Sequence, residues 1–125
     1  MNKLIFMVKL AKREEQIMQV FWDLKKAFIR DVIPFLPEPK PHYNSVATMV
    51  KILEDKSFLD HEITGNMYCY FPVISREDYQ KFALKDIVSQ YFDNSYPRML
   101  AFFAKEQNLS DKELNEIIQI IKSEK

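Results

Sequence analysis

Asn44, Ser45, Ala47, Thr48 and Lys51 fall at spacings that gather them on one side of a helix, in a stretch, residues 39–53, that contains Lys40, His42 and Lys51 and no acid. A solvated helix face is ordinarily rich in Glu and Lys. This one is small, hydroxyl-bearing and acid-free. Such a face suits the edges of nucleic-acid bases: an Asn amide pairs with adenine, and a Thr methyl packs on a thymine methyl. Lys40, Lys51, Lys25 and Lys26 are the cations for phosphate, which give affinity without reading sequence. His42 and Tyr43 stand at the entrance to the same helix, where His42 can also meet a phosphate. The competing reading is an ordinary solvent face.

Other chemistry finds little to work with. The chain has two histidines, one cysteine and one glycine, and no nucleophile, base and stabiliser converge, so an enzyme is not expected. Folds that cradle phosphates or cofactors need several glycines for close backbone approach. Cys69 alone excludes an internal disulfide and a Cys-rich zinc site. It sits between Tyr68 and Tyr70 with no flanking Lys or Arg to activate it, and is read as a packed thiol. His42 and His61 lack a helical His pair or a cysteine at ligand spacing, and are read as polar surface histidines. No metal and no cofactor are expected.

A chain of 125 residues with 47% hydrophobic and 29% charged residues has globular composition. Its net charge is zero, so the nucleic-acid reading must rest on the local acid-free patch. The apolar stretch at residues 4–8 is too short for a membrane span or a signal-peptide core; it is read as an extension that packs or frays. A soluble, cytoplasmic protein without direct membrane contact is expected.

Periodicity places a first helix at about residues 12–24, with Ile17, Met18, Phe21 and Trp22 inward. Residues 27–29 offer a strand residue or two. A short second helix at about 29–36 has Pro34 awkwardly inside it, tolerable only near a first turn. The prolines at 37, 39 and 41 form a stiff extended link. A third helix follows, capped by Asn44 or a neighbour, with Val46, Met49, Val50 and Leu53 buried. Runs at 59–64 and 67–71 alternate as a hairpin whose tip, Thr64-Gly65-Asn66, carries the only glycine. Ser75 and Asp78 then open a helix to about Phe92, with Tyr79 and Phe82 on its apolar stripe. Asp93-Asn94-Ser95 breaks it, and Pro97 opens another helix carrying Met99, Phe102 and Phe103. Ser110 and Glu113 form a capping box before Leu114, Ile117, Ile118 and Ile121. Three short helices cannot enclose so many apolar faces, and a second copy of the chain is the simplest cover. The fold class is therefore mainly α with a small β-hairpin: a winged helix-turn-helix in residues 1–73, then a helical dimerisation region in residues 74–125.

Three runs, LAKREEQIMQVFW, HYNSVATMVKILEDKSFL and YCYFPVISREDY, together resemble the penicillinase-repressor family over about residues 10–123. The resemblance implies a dimeric winged-helix repressor on a palindromic operator. It implies recognition-helix positions at Asn44, Ser45, Ala47, Thr48 and Lys51, and a wing spanning residues 61–67, including His61, Thr64, Gly65 and Asn66. It also implies derepression by a membrane-bound sensor metalloprotease that cuts an Asn-Phe bond. The matching stretch here is Leu100-Ala101-Phe102-Phe103, which lacks the Asn. Copper-responsive members end in a cysteine motif that is absent, so direct copper sensing is not expected. Ser57 replaces the glycine that usually follows the recognition helix, at a cost of about 1 kcal/mol for the left-handed conformation.

The expected function is thus a homodimeric DNA-binding repressor. The alternative is a winged-helix module that binds another protein; zero net charge favours it slightly, and the acid-free helix face disfavours it.

Overall fold

Apolar residues at every third or fourth position, several of the runs closed off by capping groups, mark the helices among the described residues. The computed structural model describes residues 7–123. It contains α1 (Lys12–Leu24), α2 (Ile29–Val32) leading into a 3-10 turn (Ile33–Phe35), and α3 (Tyr43–Asp55). Strands β1 (Leu59–Thr64) and β2 (Met67–Pro72) follow, then α4 (Arg76–Tyr91), α5 (Tyr96–Glu106) and α6 (Asp111–Ser123). This is a winged helix-turn-helix followed by a helical region, as the sequence pattern implies. No helix among the described residues is long and apolar enough to cross a membrane. Of the apolar stretch at residues 4–8, Met7 is buried and Val8 exposed; Leu4, Ile5 and Phe6 lie outside the described residues.

The chain divides between Ala83 and Leu84 into two compact units. In the first, Ile17, Met18 and Phe21 of α1 join Val32, Val46, Val50, Leu53, Phe58 and Leu59 in one core. Full burial of each such side chain contributes roughly 1.5–3 kcal/mol. Glu14 caps α1 by accepting the Ala11 N–H at 2.8 Å. The same buried carboxylate receives Lys56 Nζ at 2.9 Å from just past the end of α3. Burial alone raises the Glu14 pKa, but the Ala11 N–H and the Lys56 ammonium outweigh it and hold the carboxyl below its ordinary value.

The second helix departs from the expected form. It turns from α to 3-10 at Ile33, which puts Pro34 in a first turn where its missing N–H has no partner to lose. The peptide between Glu38 and Pro39 is cis. His42, not Asn44, is the N-cap of α3, and it has no side-chain cap. Ser57 closes the helix with φ 66°, and the Phe58 N–H returns to the Leu53 carbonyl at 2.9 Å.

The hairpin pairs Leu59 with Pro72 through to Thr64 with Met67. Ala27 adds a third short rung, exchanging two hydrogen bonds of 3.0 and 2.8 Å with Tyr70. Beyond the hairpin, Trp22 Nε1 donates to the Ile74 carbonyl at 2.8 Å. Tyr79 was expected on a dimer face; the structure instead buries it in the first unit. Its ring lies 5.7 Å from Phe58 and 5.9 Å from Trp22. Its hydroxyl donates to Glu15 at 2.7 Å and accepts the Leu10 N–H at 3.0 Å. Phe82, expected beside it, is half-buried against the same core.

In the second unit the caps follow the sequence signals. Ser95 accepts the Arg98 N–H, and Asp93 and Asn94 break the chain with φ 55° and 62°. Ser110 and Glu113 complete a reciprocal box, each accepting the other's N–H at 3.1 Å. Val88 is the only buried side chain among its described residues.

Burial, followed by the hydrogen bond to Glu15, pushes the Tyr79 phenol up to about 12 from an ordinary 10.0. The folded state favours the neutral phenol, so its contribution is complete below pH 10 and is lost as pH rises towards 12. Tyr79→Phe is expected to lose about 1–3 kcal/mol in urea unfolding, because the Leu10 N–H loses its acceptor. The variant should also lack this alkaline loss of stability.

Candidate nucleic-acid interface

Burial of Val46, Val50 and Leu53 fixes which side of α3 faces out. His42, Tyr43, Asn44, Ser45, Thr48 and Lys51 are all exposed. Ala47, expected with them, is half-buried against the core. The Thr48 hydroxyl donates to the Asn44 carbonyl at 3.0 Å. Its proton is thereby spent within the helix, leaving the methyl and the oxygen lone pairs for a ligand.

The cations are more engaged than the linear patch suggests. Lys51 Nζ lies 3.2 Å from Asp55 and 3.8 Å from Glu54. The hydrogen bond and charge of Asp55, then the charge of Glu54, raise its pKa. The acid-free stretch ends at Leu53, and one helical turn brings the next two acids back to Lys51. Lys40 donates to the Pro34 and Leu36 carbonyls at 2.8 and 2.5 Å, so its ammonium closes the end of the second helix. Lys26 is paired with Glu62 of the wing at 2.5 Å, and that carboxylate raises its pKa by hydrogen bond and charge.

In the wing, Thr64, Gly65 and Asn66 are exposed at the tip. Gly65 has φ +64°, as a tight hairpin turn with glycine at its first central position requires. Directly paired residues share a face, so His61, Ile63, Tyr68 and Tyr70 line one side of the hairpin. His61 stacks on Tyr68 at 4.1 Å and 9°, and its Nδ1 contacts Glu54 of α3. Glu54, Asp55, Ile63 and Tyr68 were not among the sequence candidates. The exposed Ile63 beside the tip was visible as strand alternation, but the contact from Glu54 to His61 was not. Cys69 points to the opposite side of the hairpin and is buried.

This geometry is a helix with a small polar outer side, flanked by a hairpin joined to its last turn. A sequence model of the family described as penicillinase repressor matches residues 10–123. The chain belongs to the penicillinase repressor family. It is 25% identical over 118 residues to a penicillinase repressor of Bacillus licheniformis, covering 94% of this chain and 92% of that protein. It is 20% identical over 115 residues to a penicillinase repressor of Staphylococcus aureus, covering 91% of each. Membership makes the chain a DNA-binding transcriptional repressor, a regulator and not an enzyme.

Nothing lies within 4 Å of a Cβ built at Gly65, so a side chain there meets only backbone strain. Gly65→Ala is expected to cost about 1 kcal/mol in urea unfolding. Gly65→Asn should cost less, since Asn tolerates positive φ.

Proposed function

We propose that this repressor acts as a homodimer on a palindromic operator, reading it through α3 and the wing. Residues 1–73 bind DNA and residues 74–125 dimerise, with the dimer contacts beyond Phe82, since Ile74, Tyr79 and Phe82 belong to the first core. The observation that carries the reading is the outward side of α3: Asn44, Ser45 and Thr48 are exposed together, held there by a core that leaves the helix no other orientation. Asn44 and Thr48 address base edges. Lys51, His42 and Tyr43, with the wing tip at Thr64, Gly65 and Asn66, address the backbone. Lys40 contributes charge while holding the second helix closed.

Dimerisation is supported by what the second unit leaves uncovered. Phe102, Phe103, Leu114, Ile117, Ile118 and Ile121 are all exposed, Ile121 at 62%. Phe92 and Met99 are half-buried next to them in sequence. Leu100, on the same helix as Phe102 and Phe103, and Ile120 are exposed as well. A second copy related by a two-fold axis covers such stripes and makes the operator palindromic.

The repressor works in the cytoplasm, and a membrane-bound sensor metalloprotease is its releasing partner. Phe102 and Phe103 lie inside α5, where the bond becomes extended only if the helix opens, and the Asn of the family's bond is missing there. The exposed break at Asp93 and Asn94 is the accessible place to cut. Cutting there separates two linked half-site contacts and costs ~10²–10⁴ in affinity.

Thr48→Ala is expected to relax base preference by roughly 1–3 kcal/mol at one position of each half-site. Lys51→Ala should weaken binding to all sequences alike and flatten the salt slope by about one unit. Wild-type binding in both variants would turn the reading to a protein-interaction module. Sedimentation at micromolar concentration should give about twice the 15.0 kDa chain mass. Ile118→Asp should give monomers, because an unpaired buried charge costs several kcal/mol.

A further inference from the structure

Glu54, Asp60 and His61 each offer one ligand atom, and these atoms all lie within 4.8 Å of one another. Two elements supply them: the last turn of α3 delivers Glu54, and β1 delivers Asp60 and His61. The Glu54 side chain is only 15% exposed and that of His61 27%. Consecutive residues of a strand normally point to opposite faces. Here Asp60 Oδ1 accepts the His61 N–H at 2.7 Å, which folds the carboxylate back along the strand towards the imidazole. The imidazole plane is held by Tyr68, stacked at 4.1 Å, and by Tyr70 at 5.6 Å. Held so, its Nδ1 faces Glu54 Oε2. Among the described residues, the lysine paired with this cluster is Lys51, 3.8 Å from Glu54 and closer to Asp55, at 3.2 Å. Two carboxylates therefore share a partly covered site with little compensating charge.

We infer that Glu54, Asp60 and His61 bind a divalent first-row transition ion, such as Zn2+ or Mn2+. One imidazole nitrogen and two carboxylate oxygens make a borderline N/O donor set without sulfur, which suits these ions. Ligand bonds of about 2.0–2.2 Å set neighbouring ligand atoms about 3–3.5 Å apart, inside the 4.8 Å limit that encloses these atoms. Glu54 and His61, now in direct hydrogen-bond contact, part by a small side-chain movement to admit the ion. Water completes the shell, since the site opens to solvent beside Asp60. A bound ion ties the last turn of α3 to the first strand of the wing. If those two elements contact the operator, as the proposed function holds, metal and operator affinities are coupled, and by linkage each changes the other by the same factor.

Isothermal titration of Zn2+, and separately Mn2+, into the EDTA-stripped full chain tests the site without DNA. One equivalent per chain is expected. Asp60→Asn keeps an acceptor for the His61 N–H and alters an exposed side chain, so thermal melting should be unchanged. Its metal affinity should nevertheless fall about 10- to 100-fold, at least the loss that follows removal of an outer-shell group. Glu54→Gln should fall similarly, His61→Ala should lose the site, and His42→Ala should keep it. No binding by the wild-type chain, or binding that survives in all three ligand variants, overturns the proposal and leaves an ordinary histidine–carboxylate pair. A gel shift with and without Zn2+ reads the coupling. Operator affinity should change in the wild type and not in Asp60→Asn, and an unchanged wild type overturns the coupling. If no DNA binds in any condition, the operator reading fails and the metal site stands on its titration.

Discussion

Burial of one side of α3 against α1 is the interaction on which the rest of the structure depends. Val46, Val50 and Leu53 lose essentially all contact with solvent, as do Ile17, Met18 and Phe21. A helix held along such a stripe cannot rotate without exposing it, and so its opposite side is set. The pair between Glu14 and Lys56 reinforces the arrangement at the two helix ends. Phe58, wholly buried directly after the helix, fixes where the wing departs. Its backbone answers Leu53 on one side and Val73 on the other, at 2.9 and 2.8 Å. The outward polar side of α3 and the position of the hairpin beside it are thus consequences of packing, and both follow from apolar residues that touch no ligand.

The second unit obeys a different constraint. Its helices are well capped, yet Val88 alone among its described residues is buried. Large apolar side chains left in water forgo roughly 1.5–3 kcal/mol each of available burial. Capping gives a helix its ends but little net stability, so most of the stabilisation of such segments has to come from packing. The proposed second copy supplies a surface that offsets that deficit, and this joins the repressor reading to the dimer reading.

Much of this was legible because local signals carry it. Lys12–Leu24 was readable from its stripe, the hairpin tip from the lone glycine, and the ends of α4 and α6 from Ser75 with Asp78 and Ser110 with Glu113. Other features depend on neighbours that no local pattern names. Periodicity identifies Tyr79 and Phe82 as apolar-face residues but does not say which core receives them, and the first unit takes both. Lys40 and Lys51 read as free cations until folding brings the Pro34 and Leu36 carbonyls to one and Asp55 to the other. His61 and Glu54 are separated by a helix end and a turn, and no ligand spacing within one element links them. Asn44 is a good capping residue by type, but the helix begins one residue earlier, at Tyr43.

The central claim is that two copies of α3, related by two-fold symmetry, read one operator. Footprinting the full-length protein on the DNA upstream of its own gene, with stoichiometry from sedimentation of the complex, tests it most directly. The account predicts two chains per duplex and two related half-sites with centres about 34 Å apart, one helical turn, or a multiple of it. A single unsymmetrical footprint with one chain bound, or no protected site at physiological salt, would contradict it.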